Sequence, residues 1–539
     1  MTRQKHHRQT FLGILLVFSF VLITGASIRF YDTGRSLYKK IELFSAILKH
    51  IREDYVEEKD PQELIENAIN GMVSNLDPHT TYLTKEYFER WNQSYEGYSG
   101  IGITFDIVRD KITVMSVITD GPSYKIGLLP GDRIIVIDGE SAIGIKREEV
   151  RLKLMGPRGT KVEVAVERQG QSEPKDFVIT RDEVHLESIP YAFMIKPGVG
   201  YIGIVRFSST TGVELEKALL KLKSKGLKQL ILDLRNNGGG YLEAAVEVAD
   251  KFLPQGKRIV YTKGRVRGSF REFFSTEGAT QPRLPTLVLI DRISASASEI
   301  VAGALQDWDR ALILGETSFG KGLVQSQYRF KDGSALLMTT ARYYTPTGRL
   351  IQRPYNNKSV DKYFAEIMND SLRRTWERDP SRPSFKTRIL RRKVYGGGGI
   401  TPDIFLTSRR DTLSPVVRRM LYSPHRLFFT FAEDYVKAHP ELKSDFNAFL
   451  RNFKPNSNIL QQFLSYIREL GFQITNKEFI ENKQDVQFFL KQTIADVVWG
   501  NEARYKVQML RDHQLLEALD YLPQAEKLLA QAYHLSKKE

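Results

Sequence analysis

The segment Ser294-Ala295-Ser296-Ala297-Ser298-Glu299-Ile300 follows an apolar run ending at Ile290 and opens a helix-forming stretch through Gln306. A serine at a strand-to-helix turn exposes its hydroxyl, with the free N–H groups and positive dipole end of the helix behind it. Those groups favour a developing oxyanion. The small alanines on either side let a substrate backbone approach. The same segment also reads as an ordinary N-cap in a Ser/Ala-rich turn, and taken alone it does not separate the two. A serine nucleophile needs a base. Residues 186–405 contain no histidine, His185 and His425 being the nearest on either side, so composition excludes a Ser-His-Asp site within that stretch. Lysine replaces histidine where desolvation leaves a neutral amine. Lys321 is the best candidate, set between Gly320 and Gly322 with little side-chain bulk around it. Gln325 lies four residues on, in an extended run, where it could hydrogen-bond the amine and orient it as the third member of a triad does.

A rival chemistry starts from the same lysine. Residues 315–321 match GxxxxGK, the opening of a phosphate-binding loop, which next requires Ser or Thr and then a helix. This chain supplies Gly322 and the β-prone Leu323-Val324-Gln325-Ser326-Gln327-Tyr328, so both requirements fail. The other half of an oxyanion hole has a candidate in Asp233-Leu234-Arg235-Asn236-Asn237-Gly238-Gly239-Gly240, whose glycines can turn an N–H into a site without steric penalty. Its spacing is not GxGxxG, so a dinucleotide fingerprint is not expected. The chain has no cysteine, which removes disulfides, a cysteine nucleophile and thiolate metal sites. The net charge of +15 gathers partly in Arg388, Arg391, Arg392 and Lys393, in Arg409 and Arg410, and in Arg418 and Arg419. Aromatic residues do not interleave with these clusters as base stacking requires, so the charge reads as a solvated or lipid-facing surface and not as a nucleic-acid site.

The 539 residues are too many for one core. Arg3, Lys5 and Arg8 precede an apolar run over residues 11–23, the pattern of a signal anchor or signal peptide. Residues 1–30 are therefore expected to anchor the chain in a membrane, with the remainder outside the cytoplasm, or to be cleaved. Residues 31–96 read as amphipathic helices, with Leu43, Ile47, Ile51 and Tyr55 on one face. A break follows at Leu76-Asp77-Pro78-His79-Thr80. Residues 97–185 change to short strands and glycine turns. The run Gly127-Leu128-Leu129-Pro130-Gly131-Asp132 through Asp138-Gly139, with Gly100-Ile101-Gly102-Ile103 ahead of it, resembles a PDZ domain. That resemblance implies N–H donors at Gly100, Ile101, Gly102 and Ile103 for a peptide's terminal carboxylate, beside an edge strand that pairs with the peptide. Residues 186–408 alternate strand and helix, an α/β domain with parallel pairing. Residues 409–539 return to amphipathic helices, with Leu427, Phe428, Phe431 and Tyr435 on one face and Phe446, Phe449, Leu450 and Phe453 on another. They read as an accessory region without chemistry of its own.

Ser-Ala-Ser-Ala-Ser-Glu-Ile, then Gly-Glu-x-x-x-Gly-Lys-Gly, with Asp-Leu-Arg-Asn-Asn ahead of both, resembles the core of the carboxy-terminal processing, or tail-specific, serine peptidases. The likeness runs over residues 40–405 and includes Gly71-Met72, Leu76-Asp77-Pro78 and the closing Gly399-Ile400-Thr401-Pro402-Asp403. It implies a multidomain α+β chain: an α/β core of the ClpP/crotonase-like kind, an inserted PDZ β-domain, helical N- and C-terminal regions and an N-terminal membrane segment. It places the nucleophile on Ser296, not Ser294 or Ser298, the base on Lys321 and the orienting amide on Gln325. Oxyanion N–H groups are expected from Ala297 and Gly239; Gly238 stands where many members have proline. The implied partners are polypeptides with exposed C-termini, the inner membrane of a bacterial cell envelope through residues 1–30 with the remainder facing the periplasm (or released into it if the segment is cleaved), and a second copy of the chain. No metal or other cofactor is implied. The alternative is a PDZ scaffold with a degenerate core, against which the complete Ser296, Lys321 and Gln325 set argues.

Overall fold

The computed structural model describes residues 37–537 apart from 119, 169–170, 357, 370, 374–378, 380 and 407–412. The expected membrane segment lies outside the described residues. Among those described, no helix is long and apolar enough to cross a membrane. The chain divides into two compact units, up to Tyr82 and from Leu83 onward. The first holds helices over residues 37–54 and Pro61–Val73. Asp60 caps the second by accepting the Gln62 N–H at 2.9 Å, with Pro61 pre-set for the first turn. The break at residues 76–80 is built by Asp77, whose carboxylate accepts the N–H groups of His79 and Thr80, both at 2.9 Å. Leu43 and Ile47 stand exposed along the first helix, and Tyr55 just beyond its end.

The second unit begins with the β-domain. Its strands Ile103–Val108, Lys111–Val117, Arg133–Ile137, Lys161–Glu167 and Lys175–Thr180 pair antiparallel in that order. The strand Lys161–Glu167 illustrates the cause: Val162, Val164 and Val166 are buried while Lys161 and Glu163 face solvent, the period of two that a one-faced strand requires. Ile112, Ile134, Val150 and Ile179 close the same core, Val150 coming from the helix Arg147–Leu154.

The α/β core is a six-stranded sheet in the order Tyr191–Lys196, Val199–Gly203, Gln229–Asp233, Thr286–Ile290, Leu312–Gly315 and Ile404–Phe405. The first pair is antiparallel and the others parallel. Both faces are covered, so its central strands are continuously apolar. Helices Thr211–Lys223, Leu242–Asp250 and Ala297–Asp307 cover one face, through Leu219, Val248 and Val301. The other face, with Tyr201, Ile231, Leu287 and Leu314, packs against Met509, Leu515, Leu522 and Leu528 from the C-terminal helices. Those helices are thus a structural layer of the core, which their sequence pattern did not reveal. A second, antiparallel sheet contains Arg258–Gly264, Arg271–Phe274, Leu323–Arg329 and Ala335–Tyr344.

Candidate active site

The buried strand Thr286–Ile290 delivers the chain to Asp291, and that carboxylate shapes the next turn. It accepts the N–H groups of Ile293 at 3.0 Å and Ser294 at 2.9 Å, and reaches across to the Asn236 N–H at 3.1 Å. Burial pushes the Asp291 carboxyl up from its ordinary value, against the pull of these donors. One side chain thus ties the serine turn to the glycine-rich loop.

The three serines have different surroundings. Ser294 is buried and donates its hydroxyl to the Leu234 carbonyl at 2.8 Å. Ser298 is buried and donates to the Asn237 carbonyl at 2.9 Å. Ser296 instead lines a cavity of about 470 Å³, together with Lys321, Gln325, Gly238, Gly240 and Tyr241. Ser296 caps the helix Ala297–Asp307 with φ +55° and ψ −112°, a region that a non-glycine residue occupies only under strain.

Glu299 holds that strained turn. Its carboxylate is fully buried and accepts the Ser296 N–H at 2.8 Å, the Lys321 N–H at 2.9 Å, the Gly320 N–H at 2.7 Å and the Ser318 hydroxyl at 2.5 Å. One carboxylate therefore sets the backbone of both the serine and the lysine. Desolvation raises the Glu299 pKa, and the four donors offset part of that rise. Tyr343 adds a bond from its hydroxyl to the Ser296 carbonyl at 3.2 Å.

The lysine loop threads a narrow gap. Gly320 has φ +86°, and a Cβ there would lie 2.9 Å from the Gly399 nitrogen, so this position admits only glycine. Lys321 Nζ donates to Gln325 Oε1 at 2.6 Å. Gln325 reaches it from the strand Leu323–Arg329, whose pairing with Ala335–Tyr344 shifts register between Val324 and Gln325. A bulge re-aims a side chain that regular alternation would direct elsewhere. The spacing of Lys321 and Gln325 was legible; the bulge between Val324 and Gln325 was not.

Gly239 abuts the serine: a Cβ there would lie 2.8 Å from the Ser296 Cβ and 3.0 Å from the Ala297 nitrogen, and its φ is +102°. In this conformation the Gly239 N–H donates to Asn237 Oδ1 at 2.9 Å. Its neighbours Gly238 and Gly240 line the cavity. Asn237 is buried, and its amide also donates to the Ile204 carbonyl at 2.8 Å. Ala297 occupies the first turn of the helix, where N–H groups have no intrahelical partner. Glu299, Asn237 and Asp291 are the site residues that sequence reasoning missed. The Ser296-x-x-Glu299 spacing of a capping box was the available signal for Glu299.

In the β-domain, Gly100, Ile101, Gly102 and Ile103 are all buried. The Ile101 and Gly102 carbonyls accept the Ser123 and Ile118 N–H groups at 2.9 and 3.0 Å. The strand Ile103–Val108 forms the edge of its sheet, and Ile101 and Ile103 pack with Val150 and Leu154 of the helix Arg147–Leu154. An open strand edge beside a helix is the geometry of strand addition.

Residues 198–357 match the model of Peptidase family S41, residues 113–168 that of the PDZ domain and residues 29–87 that of the Activating protease CtpB N-terminal domain. Residues 419–500 match a family of unknown function, DUF8443. A carboxy-terminal-processing protease of Bartonella bacilliformis is 40% identical over 326 residues, 60% of this chain and 74% of the relative. A probable CtpA-like serine protease of Staphylococcus epidermidis is 32% identical over 394 residues, 71% of this chain and 78% of the relative. Among solved structures, a photosystem II D1 C-terminal processing protease is 27% identical, with a TM-score of 0.34 over 66% of this chain and 86% of that one.

Proposed function

The chain belongs to the carboxy-terminal-processing serine peptidases and carries their PDZ domain, and from that premise we propose that it cleaves polypeptides at a Ser296–Lys321–Gln325 site. Ser296 Oγ attacks the scissile carbonyl while the neutral amine of Lys321 takes its proton. Gln325 orients that amine through the 2.6 Å bond. The Ala297 N–H, with an N–H from the loop 238–240, receives the oxyanion at the positive end of the helix. Lysine then returns the proton to the leaving amine, and water resolves the acyl-enzyme by the same steps. The observation that carries this reading is the separation of the three serines. Ser296 shares the cavity with Lys321 and Gln325, while Ser294 and Ser298 hold backbone carbonyls behind it.

The β-domain supplies the substrate. A C-terminal tail adds to the edge strand Ile103–Val108, its carboxylate at the N–H groups of residues 100–103. The basic residues and apolar run at residues 3–23 support an envelope protease working outside the cytoplasm, anchored or released. The site is tested with Ser296→Ala: hydrolysis of a tailed substrate is abolished while tail affinity and thermal stability are kept. Normal turnover by Ser296→Ala removes this serine from the mechanism and points to Ser294 or Ser298.

A further inference from the structure

The region matching the family of unknown function touches the PDZ domain and runs on, through the helix Asn501–Met509 that follows it, to the protease core. At one end it meets the PDZ domain through charge. Glu433, buried on the helix Leu427–Ala438, lies 3.2 Å from Arg133 of the PDZ strand Arg133–Ile137. The PDZ turn at Gly131 comes close behind, its Cβ position 3.5 Å from Glu433 Oε1. Arg109 donates to the Tyr466 hydroxyl at 2.7 Å and lies 3.7 Å from Asp434. Arg426 pairs with Asp106, which sits on the tail-binding edge strand and is also gripped by Arg147 from the helix beside it.

Backbone strain marks the same contact. Arg109 and Asp110 form a two-residue hairpin turn with φ +51° and +60°, and Arg426 caps its helix at φ +49°. Arginine has no intrinsic reason to hold left-handed backbone, where glycine and asparagine are preferred. Here two arginines do so on opposite sides of one contact.

From this contact, continuous packing leads to the protease core. Phe428 and Phe431 pack with Val486 and Leu490 of the helix Lys483–Trp499. Ala432, Val436 and Ile494 pack with Val507, next to Met509 on the core sheet. The Tyr505 hydroxyl bonds that of Tyr201 at 2.7 Å. Asp512 pairs at 2.6 Å with Arg235, which is held by Asp233 and leads directly into the loop 236–240.

We propose that residues 415–512 act as an internal strut that fixes the PDZ domain against the protease core through the Asp106–Arg426, Arg133–Glu433 and Arg109–Asp434/Tyr466 contacts, so that a captured tail reaches Ser296 in one geometry. Arg426, Glu433 and Asp434 are then positioning residues for proteolysis, far from the reacting atoms. The proposal rests on the protease and tail-binding reading above, and its first test is independent of activity. The chain has no cysteine, so spin labels go onto Val178→Cys in the PDZ domain and Ile480→Cys in the strut, both exposed. The parent should give one narrow distance distribution. Arg133→Glu, Glu433→Arg and the milder surface change Arg109→Ala should each broaden it, and the charge swap Arg133→Glu/Glu433→Arg should narrow it again. Should Glu433→Arg not fold, Arg133→Glu and Arg109→Ala carry the test.

With the strut loosened, kcat/KM for a tailed protein should fall at least tenfold. Affinity for a free tail peptide and hydrolysis of a C-terminally amidated substrate should hold. A narrow distribution in Arg133→Glu and Arg109→Ala overturns the strut. A broadened one with unchanged turnover of the tailed protein overturns its role in delivery. If the protease reading itself were wrong, Ser296→Ala would stay active, an outcome these distances do not touch.

Discussion

Glu299→Gln tests whether the geometry of the site depends on one buried carboxylate. Glu299 Oε2 accepts the Ser296 and Lys321 N–H groups, and Oε1 accepts the Gly320 N–H and the Ser318 hydroxyl. Glutamine keeps one oxygen. Turned toward Ser296 and Lys321, it leaves the Gly320 N–H facing an amide NH₂. The Ser318 hydroxyl, whose oxygen also accepts the Ile400 N–H at 2.6 Å, can accept from the amide only by turning its own proton away from its present acceptor. A buried donor left unsatisfied costs about 1–3 kcal/mol, and charge-assisted bonds become neutral ones. The neutral amide also escapes the desolvation that raises the Glu299 pKa, so the net loss of stability, read as a lower midpoint in urea, is smaller than the lost bonds alone would give. The kinetic effect comes from the Ser296 backbone, whose left-handed conformation stores about 1–3 kcal/mol. If the weakened Glu299 bond no longer over-determines that conformation, the productive population drops by about 5- to 150-fold, and kcat drops with it.

The pH dependence gives a second reading. The folded-state pKa of Glu299 is raised above 4.5, chiefly by desolvation. Its contribution to stability is therefore fully present below the unfolded value and lost as pH rises through the folded one. Activity moves the other way, because only the carboxylate accepts from every donor. As pH falls, kcat/KM should first decline with one proton, that of Lys321, and then steepen to two as Glu299 protonates, at a pH above 4.5. In Glu299→Gln the second proton is missing and the slope stays at one. The assay is hydrolysis of a fluorogenic tailed peptide, with circular dichroism confirming the fold at each pH. Full kcat in Glu299→Gln, with the steepening retained, refutes the argument.

Two further outcomes concern the base and the tail. Lys321→Arg keeps the charge but cannot give a neutral amine at working pH, so it should be as inactive as Lys321→Ala; near-native kcat would reduce Lys321 to a fixed charge. Amidating a substrate's C-terminus should weaken PDZ binding by about 1 kcal/mol or more, measured by calorimetry, and equal affinity for free and amidated tails would sink the carboxylate site.

The parts of the site legible in sequence were those whose chemistry is local. A serine turn, a lysine among glycines and a glutamine four residues on are short-range patterns, and the absence of histidine from residues 186–405 left lysine as the candidate base. The strands of the β-domain were legible for the same reason, since alternation such as that of residues 161–167 reports one buried face directly. What sequence did not disclose is long-range or geometric. The family resemblance singled out Ser296, but its physical ground is where the two neighbouring hydroxyls point, and their acceptors, Leu234 and Asn237, lie about sixty residues upstream. The aim of Gln325 rests on a bulge, which disrupts the periodicity that strand reading uses. The C-terminal region was read as accessory because its amphipathic stripes say only that something covers them. An amphipathic helix carries the same pattern whether it packs on its own neighbours or on a sheet. Arg235 and Asp512 stand 277 residues apart, and each alone is an ordinary charged residue. Together they seat the C-terminal helices at the foot of the loop 236–240. A pattern that reads as accessory in sequence is therefore compatible with a place beside the candidate site.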